Sequence, residues 1–164
     1  MSAMRTDGEM PLVGIVVGNA NHLPLMQQAG AILERFGVPF ELQVMSPHRS
    51  PDLVDEYART AEDRGLVAIV CGAAWSGAAG LAGAVAARTS LPVIGVPIAV
   101  EHLSGADALY ATVQMPRGVP VATMAINGAV NAAVLAAQIV GVRDPEVRSR
   151  LNEFKDSLDE GMRA

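Results

Sequence analysis

The sequence predicts an α/β domain with three layers, α/β/α, built on a mainly parallel sheet. Short apolar runs rich in β-branched residues recur along the chain, and after most of them comes a segment with apolar residues at helical spacing. Continuous apolar runs are typical of parallel strands, because such strands are buried on both faces. Strand and helix alternating within 164 residues favour a single doubly wound domain of the flavodoxin-like type.

Five strands and five helices follow from this pattern. Proline can occupy the first turn of a helix, which suits the beginning of two of them, and glycine ends two of the helical patterns. The predicted strands are 11–17, 40–45, 66–71, 92–96 and 119–126. The predicted helices are 24–36, 51–65, one that ends near residue 88, 129–140 and 145–158.

The whole chain, 1–164, is predicted to be this one domain, with a flexible leader at 1–10 and a C-terminal helix within 144–162. Apolar residues make up 51% of the chain and charged residues only 18%. A single small domain leaves much of its surface uncovered. We therefore expect some apolar surface to remain after folding and to be covered in a homo-oligomer.

Charge and hydropathy exclude several classes of partner. A net charge of −5 without a run of Lys and Arg argues against nucleic acid. Two uncharged stretches, 65–87 and 118–142, are long enough to cross a bilayer, but glycine, proline and polar residues interrupt both. The leader lacks the apolar segment of a signal peptide. We expect a cytoplasmic protein with no membrane partner.

The loops after the strands are the expected ligand site, because ligands of doubly wound folds bind at the carboxyl ends of the strands. Ser46-Pro47-His48-Arg49-Ser50 joins a hydroxyl, an imidazole and a guanidinium. Histidine exchanges protons near neutral pH and arginine binds anions, so this loop is a candidate catalytic segment. The alternative is structural: Arg49 neutralises an acid and His48 caps a turn.

The first loop is less informative. Gly18-Asn19-Ala20-Asn21-His22 lacks the glycine pattern of a phosphate loop, so Asn19 and Asn21 fit a structural turn and a ligand contact equally well. No metal-binding motif is present, and Cys71 lies alone in an apolar run. We expect no metal site.

Several segments together resemble the PurE family, the class I N5-carboxyaminoimidazole ribonucleotide mutases. Ser46-Pro47-His48-Arg49-Ser50-Pro51 resembles the family's Ser-Ala-His-Arg-Thr-Pro, and Val113-Gln114-Met115-Pro116-Arg117-Gly118-Val119-Pro120 is a highly specific match. The likeness runs from Val13 to about Leu158.

The resemblance implies cofactor-free and metal-free CO2 transfer in an octamer whose C-terminal helix packs on neighbours. A carbamate on nitrogen loses CO2, the trapped CO2 adds to a ring carbon of aminoimidazole ribonucleotide, and a histidine moves the proton. By position that histidine is His48, and Arg49 matches a phosphate-binding arginine.

Three loops depart from the family pattern. Asn19, Asn21 and His22 stand at the positions of the two serines and the aspartate in the family's Gly-Ser-x-Ser-Asp. The third loop, which contains Trp75, Ser76 and Gly77, is two residues longer than the family's and lacks its histidine. The fifth loop, which includes Asn131, is shorter. Together with Ser46, these seven residues complete the predicted substrate site around His48 and Arg49.

Altered loops beside an intact His48-Arg49 pair favour a carboxyl-transfer enzyme, either a decarboxylase, a carboxylase or a carbamate mutase, acting on a different small, planar, nitrogenous substrate. The first alternative is the standard mutase of purine biosynthesis. The second is a homologue that binds a ligand without catalysis. Whether His22 replaces the missing imidazole, and whether Trp75 stacks on a ligand, are open at this point.

Overall fold

The computed structural model describes residues 4–5, 10–74, 80–101, 103–159 and 161. One sheet of six strands forms the middle layer, and five of the strands are parallel to their neighbours. The strands are β1 (Met4–Arg5), β2 (Val13–Val17), β3 (Phe40–Val44), β4 (Ala68–Ala73), β5 (Val93–Pro97) and β6 (Ala122–Thr123). The predicted fold class is confirmed.

Within the described residues, six α-helices cover the sheet. They are α1 (Leu23–Arg35), α2 (Pro51–Thr60), α3 (Leu81–Ala86), α4 (Ala106–Val113), α5 (Ala129–Gly141) and α6 (Pro145–Asp159). A short 3-10 turn, Ala20–His22, precedes α1. Among the described helices none is both long and apolar enough to cross a membrane.

The strand order is β1-β3-β2-β4-β5-β6. From β2 the chain moves outward to β3 and then returns past β2 to β4, so the direction of winding reverses between β2 and β4. In doubly wound folds this reversal leaves a crevice at the carboxyl ends of the two strands, where ligands bind. The topology therefore directs the search for a site to the loops after β2, β3 and β4.

Alternating strand residues build two cores, one on each face of the sheet. Val13, Ile15 and Val17 of β2 pack with α1, α5 and α6, whereas Val16 packs on the opposite face with residues of α2 and α3. All five residues of β2 are buried, as expected for a strand covered on both faces. This rigid middle layer fixes the positions of the loops that leave it.

The structure differs from the sequence prediction in three elements. Helix α4 was not predicted. The last parallel strand was predicted over 119–126 but pairs with β5 only at Ala122 and Thr123, because it is an edge strand and Pro120 has no N–H to donate. The leader, predicted without an element, contributes β1, which pairs antiparallel with β3.

The apolar side of α6 packs within its own chain. Val147, Leu151 and Phe154 are buried there, and the ring of Phe154 lies edge-on to Phe36 with 5.5 Å between ring centres. Arg150 donates a hydrogen bond to the carbonyl of Phe36 at 2.9 Å. Packing of this helix on neighbouring subunits stays a prediction.

Candidate active site

A cavity of about 460 Å³ opens at the carboxyl ends of the strands, where the winding reverses. Its volume lies within the usual range for small-molecule sites. Four loops, those after β2, β3, β4 and β5, contribute to it. The lining residues are Gly18, Asn19, Asn21, His22, Ser46, Pro47, His48, Arg49, Ala73, Ala74, Leu81, Val100 and Glu101.

The loop after β3 is held in a closed turn by its two serines. The backbone N–H of Ser50 donates to the carbonyl of Ser46 at 2.8 Å, and the Ser50 hydroxyl donates to the same carbonyl at 3.1 Å. The N–H of His48 donates to Ser46 Oγ at 3.4 Å. These bonds leave the side chains of His48 and Arg49 exposed at the cavity.

Arg49 connects this loop to the first one. Its Nη2 donates a hydrogen bond to the carbonyl of Gly18 at 2.8 Å. The guanidinium has five N–H donors, so one bond leaves others for an anionic ligand. Arg49 pairs with no acid among the described residues, so the structural alternative, in which it only neutralises a carboxylate, has no support there.

The first loop uses one of its asparagines structurally. Asn19 Oδ1 accepts a hydrogen bond from the N–H of Asn21 at 3.0 Å and caps the short 3-10 turn. Both residues also line the cavity. A structural turn and a ligand contact are therefore compatible here, since the amide group of Asn19 keeps its NH2 for a ligand.

His22 lies half-buried beside these asparagines. Its Nδ1 is buried and has no hydrogen-bond partner among the described residues. Burial lowers the pKa of this imidazole, because charging the ring would place a second N–H in a site without an acceptor. A lowered pKa favours the neutral ring at pH 7, which carries one N–H donor.

Sequence reasoning missed the far wall of the cavity. Leu81, at the beginning of α3, and Val100 and Glu101, after β5, line it together with small residues at the end of β4. Glu101 is the only carboxylate among the described lining residues. The sequence did contain a signal, because Glu101 follows a predicted strand in one of the loops where ligands were expected.

The loop after β5 is anchored on both sides. The N–H of Ile98 donates to the carbonyl of Ala73 and that of Ala99 to Asn127 Oδ1, both at 2.9 Å. Gly105 closes the loop with a φ of +87°, and a Cβ there would lie 2.9 Å from Ala99 Cα. Only glycine accommodates both the positive φ and this close approach.

The remaining predicted site residues divide into two groups. Trp75, Ser76 and Gly77 lie outside the described residues. Asn131 is exposed on α5 and is not among the residues lining the cavity. The other six predicted site residues, Asn19, Asn21, His22, Ser46, His48 and Arg49, all line this one cavity.

Cys71 is buried in β4, and burial strongly raises the pKa of its thiol. A thiol with a raised pKa is a poor nucleophile, so Cys71 belongs to the core. Within the described parts of the chain, no three or more His, Cys, Asp and Glu side chains come together in a way that could hold a metal ion.

Fold and cavity define an α/β protein with a small-molecule cavity, in which an exposed imidazole lies beside a guanidinium. The family follows from comparison with known proteins: the model of the AIR carboxylase family matches residues 12–161, and the chain belongs to that family. The resemblance to the PurE family is thereby confirmed, and the chain is an enzyme of carboxyl transfer.

The relatives include proteins that the chain matches over most of their length. It is 51% identical to the N5-carboxyaminoimidazole ribonucleotide mutase of Thermotoga maritima, over 91% of this chain and 86% of that protein. It is 48% identical to the mutase of Mycobacterium tuberculosis, over 94% and 88%. The phosphoribosylaminoimidazole carboxylase of Candida albicans is 51% identical over 96% of this chain, which corresponds to 27% of that longer protein.

Solved structures support the same fold. The crystal structure of Treponema denticola PurE superposes with a TM-score of 0.82 at 25% sequence identity, over 92% of this chain and 93% of that one.

Proposed function

We propose that this protein is an N5-carboxyaminoimidazole ribonucleotide mutase, which moves CO2 from the exocyclic nitrogen to a ring carbon of aminoimidazole ribonucleotide in purine biosynthesis. The sequence analysis favoured a different substrate because of the altered loops. The alternative reading, the standard mutase, has better support. Several relatives carry the mutase name, are 48–51% identical to this chain, and are matched over most of their length.

One observation carries the proposal. His48 and Arg49 are adjacent in one turn, and their loop borders the same cavity as the loop after β2, at the point where doubly wound folds bind ligands. A group that exchanges protons and a group that holds an anion are therefore available to a single small molecule.

Arg49 gives the substrate its orientation. Its bond to the Gly18 carbonyl fixes the guanidinium between the two loops, and its remaining N–H groups suit a phosphate. The hydroxyl of Ser46 and the amide of Asn19 border the same cavity and add hydrogen-bond donors. We infer that the phosphate end of the ribonucleotide binds here.

Small apolar side chains supply a place for the free CO2. Ala73, Ala74 and Leu81 line the far wall. Carbon dioxide has no net charge and no N–H or O–H donor, so it needs a dry, apolar surface rather than hydrogen bonds. Holding CO2 against the ring converts its recapture into a unimolecular step.

His48 moves one proton in a balanced sequence. The N–CO2 bond of the carbamate breaks, CO2 leaves, and a proton from His48 replaces it on nitrogen. The ring carbon then attacks CO2 and forms the new C–C bond, and His48 removes the proton from that carbon to restore the aromatic ring. Substrate and product are isomers, so no oxidant or reductant is needed.

The assembly is part of this proposal. We expect a homo-oligomer, because the chain has the apolar composition of a protein with covered surfaces. The octamer is what the resemblance to the PurE family implies, and the cytoplasm is the compartment expected from the sequence analysis. Leu103, Tyr110 and Val113 are large apolar residues that remain exposed in the single chain, at 71%, 64% and 48%. Assembly would remove such side chains from water.

The test compares two substrate conditions with the purified protein. With the carbamate alone, the ring carboxylate should form; with aminoimidazole ribonucleotide and bicarbonate, product should form only at high bicarbonate concentration. Efficient turnover in the second condition alone would identify a carboxylase instead. Binding of the nucleotide without exchange of labelled CO2 would overturn the enzymatic proposal and leave a ligand-binding homologue.

A complementation experiment tests the same claim in cells. The gene is supplied to a purine-requiring strain that lacks the mutase, and growth without purine would support the proposal.

A further inference from the structure

Glu101 brings a negative charge into a cavity whose other polar groups suit anions. The cavity holds the guanidinium of Arg49, two imidazoles, amides and a hydroxyl, and among the described lining residues Glu101 alone carries a carboxylate. A carboxylate repels phosphate and carboxyl groups and accepts hydrogen bonds from O–H and N–H donors. Its presence restricts how an anionic ligand can be oriented.

The backbone holds Glu101 at this position. Two residues before it, Ala99 is fixed to Asn127, and one residue before it, Val100 forms a bridge with Leu103. Leu103 and Ser104 have φ values of 53° and 49°, an unusual left-handed conformation for residues other than glycine. Strained backbone of this kind persists where surrounding contacts enforce it, and it concentrates at functional sites.

We propose that Glu101 is a specificity-determining residue that accepts hydrogen bonds from the ribose hydroxyl groups of the substrate. This inference rests on the proposed function and names a contact that the altered first loop does not provide. Aminoimidazole ribonucleotide carries negative charge at its phosphate and at the migrating carboxyl group. The ribose diol lies between them, is neutral and offers two O–H donors, so it is the part of the substrate that a carboxylate attracts.

The same contact accounts for the histidine in the first loop. His22 is neutral and offers one N–H donor, so it does not supply a carboxylate acceptor for sugar hydroxyls. Glu101 reaches the cavity from a different loop and supplies one. The donor of His22 and the acceptor of Glu101 therefore offer complementary groups from two different loops of the cavity.

The test combines substitutions in the protein with removal of hydroxyls from the substrate. Glu101→Ala should raise KM for the ribonucleotide roughly 100-fold, because it removes a charged acceptor, and Glu101→Gln should raise it roughly 10-fold, because its amide oxygen accepts the hydrogen bond but carries no charge. The value of kcat should stay within about threefold, because the contact is the same in ground state and transition state. Glu34→Gln is the matched control, since Glu34 is exposed in the last turn of α1 and does not line the cavity.

The deciding readout is the coupling between Glu101 and the sugar. With the 2′-deoxy or the 3′-deoxy form of the substrate, the KM penalty of Glu101→Gln should fall to less than about threefold for the form that lacks the contacted hydroxyl. Equal penalties with all three sugars would overturn this inference alone. Absence of turnover by the unsubstituted protein would overturn the proposed function together with it.

Discussion

His48 is the residue on which the proposed chemistry depends, and its position makes it simple to test. It is exposed at the cavity, and its backbone rather than its ring takes part in the turn. His48→Asn should therefore leave the fold intact while lowering kcat by about 10²- to 10⁴-fold, the usual contribution of general acid–base catalysis. Steady-state kinetics and a thermal melt check both parts. Normal turnover by this variant would remove His48 from the mechanism.

Arg49 should act on binding rather than on the proton. Arg49→Ala removes the bond to the Gly18 carbonyl and the proposed phosphate contact, so KM should rise roughly tenfold or more. Arg148→Ala, an exposed arginine on α6, is the matched control and should leave KM unchanged. An Arg49→Ala variant with an unaltered KM would exclude the phosphate contact.

Because of the half-buried ring of His22, we expect the free energy of unfolding to depend on pH in a particular way. Burial lowers its pKa in the folded protein, so below about pH 6.5 the unfolded chain binds the proton more readily than the folded one. As the pH falls from 7.5 to 5.5, the free energy of unfolding should decrease more for the wild type than for His22→Asn, because asparagine does not titrate in this range. Urea unfolding at both pH values measures the difference, and parallel losses would contradict the assignment.

Among the elements, the loop after β5 carries part of the far wall of the cavity. Asn127 anchors it: Oδ1 accepts from the N–H of Ala99, its own N–H donates to the carbonyl of Pro97 at 2.8 Å, and its φ is +60°. Asparagine tolerates this conformation better than most residues. The anchor holds Val100 and Glu101 at the cavity.

Two substitutions at Asn127 test whether its side-chain hydrogen bond holds the loop. Asn127→Ala loses the acceptor and should reduce the free energy of unfolding by about 1–3 kcal/mol and raise KM as well. Asn127→Asp keeps an acceptor oxygen, so its free energy of unfolding and its KM should stay close to those of the wild type. Urea unfolding and kinetics on the two variants check this. Equal effects of both substitutions would show that the hydrogen bond is unimportant.

The sequence predicted those elements whose residues are apolar without interruption. Strands β2 to β5 and the helices around them follow from buried runs and helical spacing. Helix α4 was missed because it buries only Ala108 and Thr112, too few residues to produce a clear pattern. Six predicted site residues meet in the cavity because loops at the carboxyl ends of neighbouring parallel strands are adjacent. Glu101 was missed because a single acidic residue in a loop has no pattern of its own.

For the whole molecule, the most specific sequence match lies away from the cavity. The string that ends at Pro120 contributes no lining residue, and Met115 packs against Gly83 of α3, where a Cβ would lie 3.0 Å from Met115 Cε. Sequence similarity therefore identifies this scaffold more sharply than it identifies the substrate. The altered loops favoured a different substrate, whereas the relatives give the standard mutase better support.

Oligomeric state is the prediction at the scale of the assembly. We expect sedimentation velocity to show an oligomer at about micromolar concentration, because a single chain leaves large apolar side chains in water. The resemblance to the PurE family predicts that this oligomer is an octamer. Dilution and a second measurement by light scattering provide the control. A stable monomer under both methods would contradict the composition argument.

The central claim is that the cavity transfers CO2 from nitrogen to carbon with His48 moving the proton. The most direct measurement supplies the carbamate labelled with ¹³C at its carboxyl group, in unlabelled bicarbonate, and follows the ring carboxylate by NMR. The account predicts that the wild type retains the label in the product and that His48→Asn forms almost none. No labelled product from the wild type, or equal product from both proteins, would contradict it.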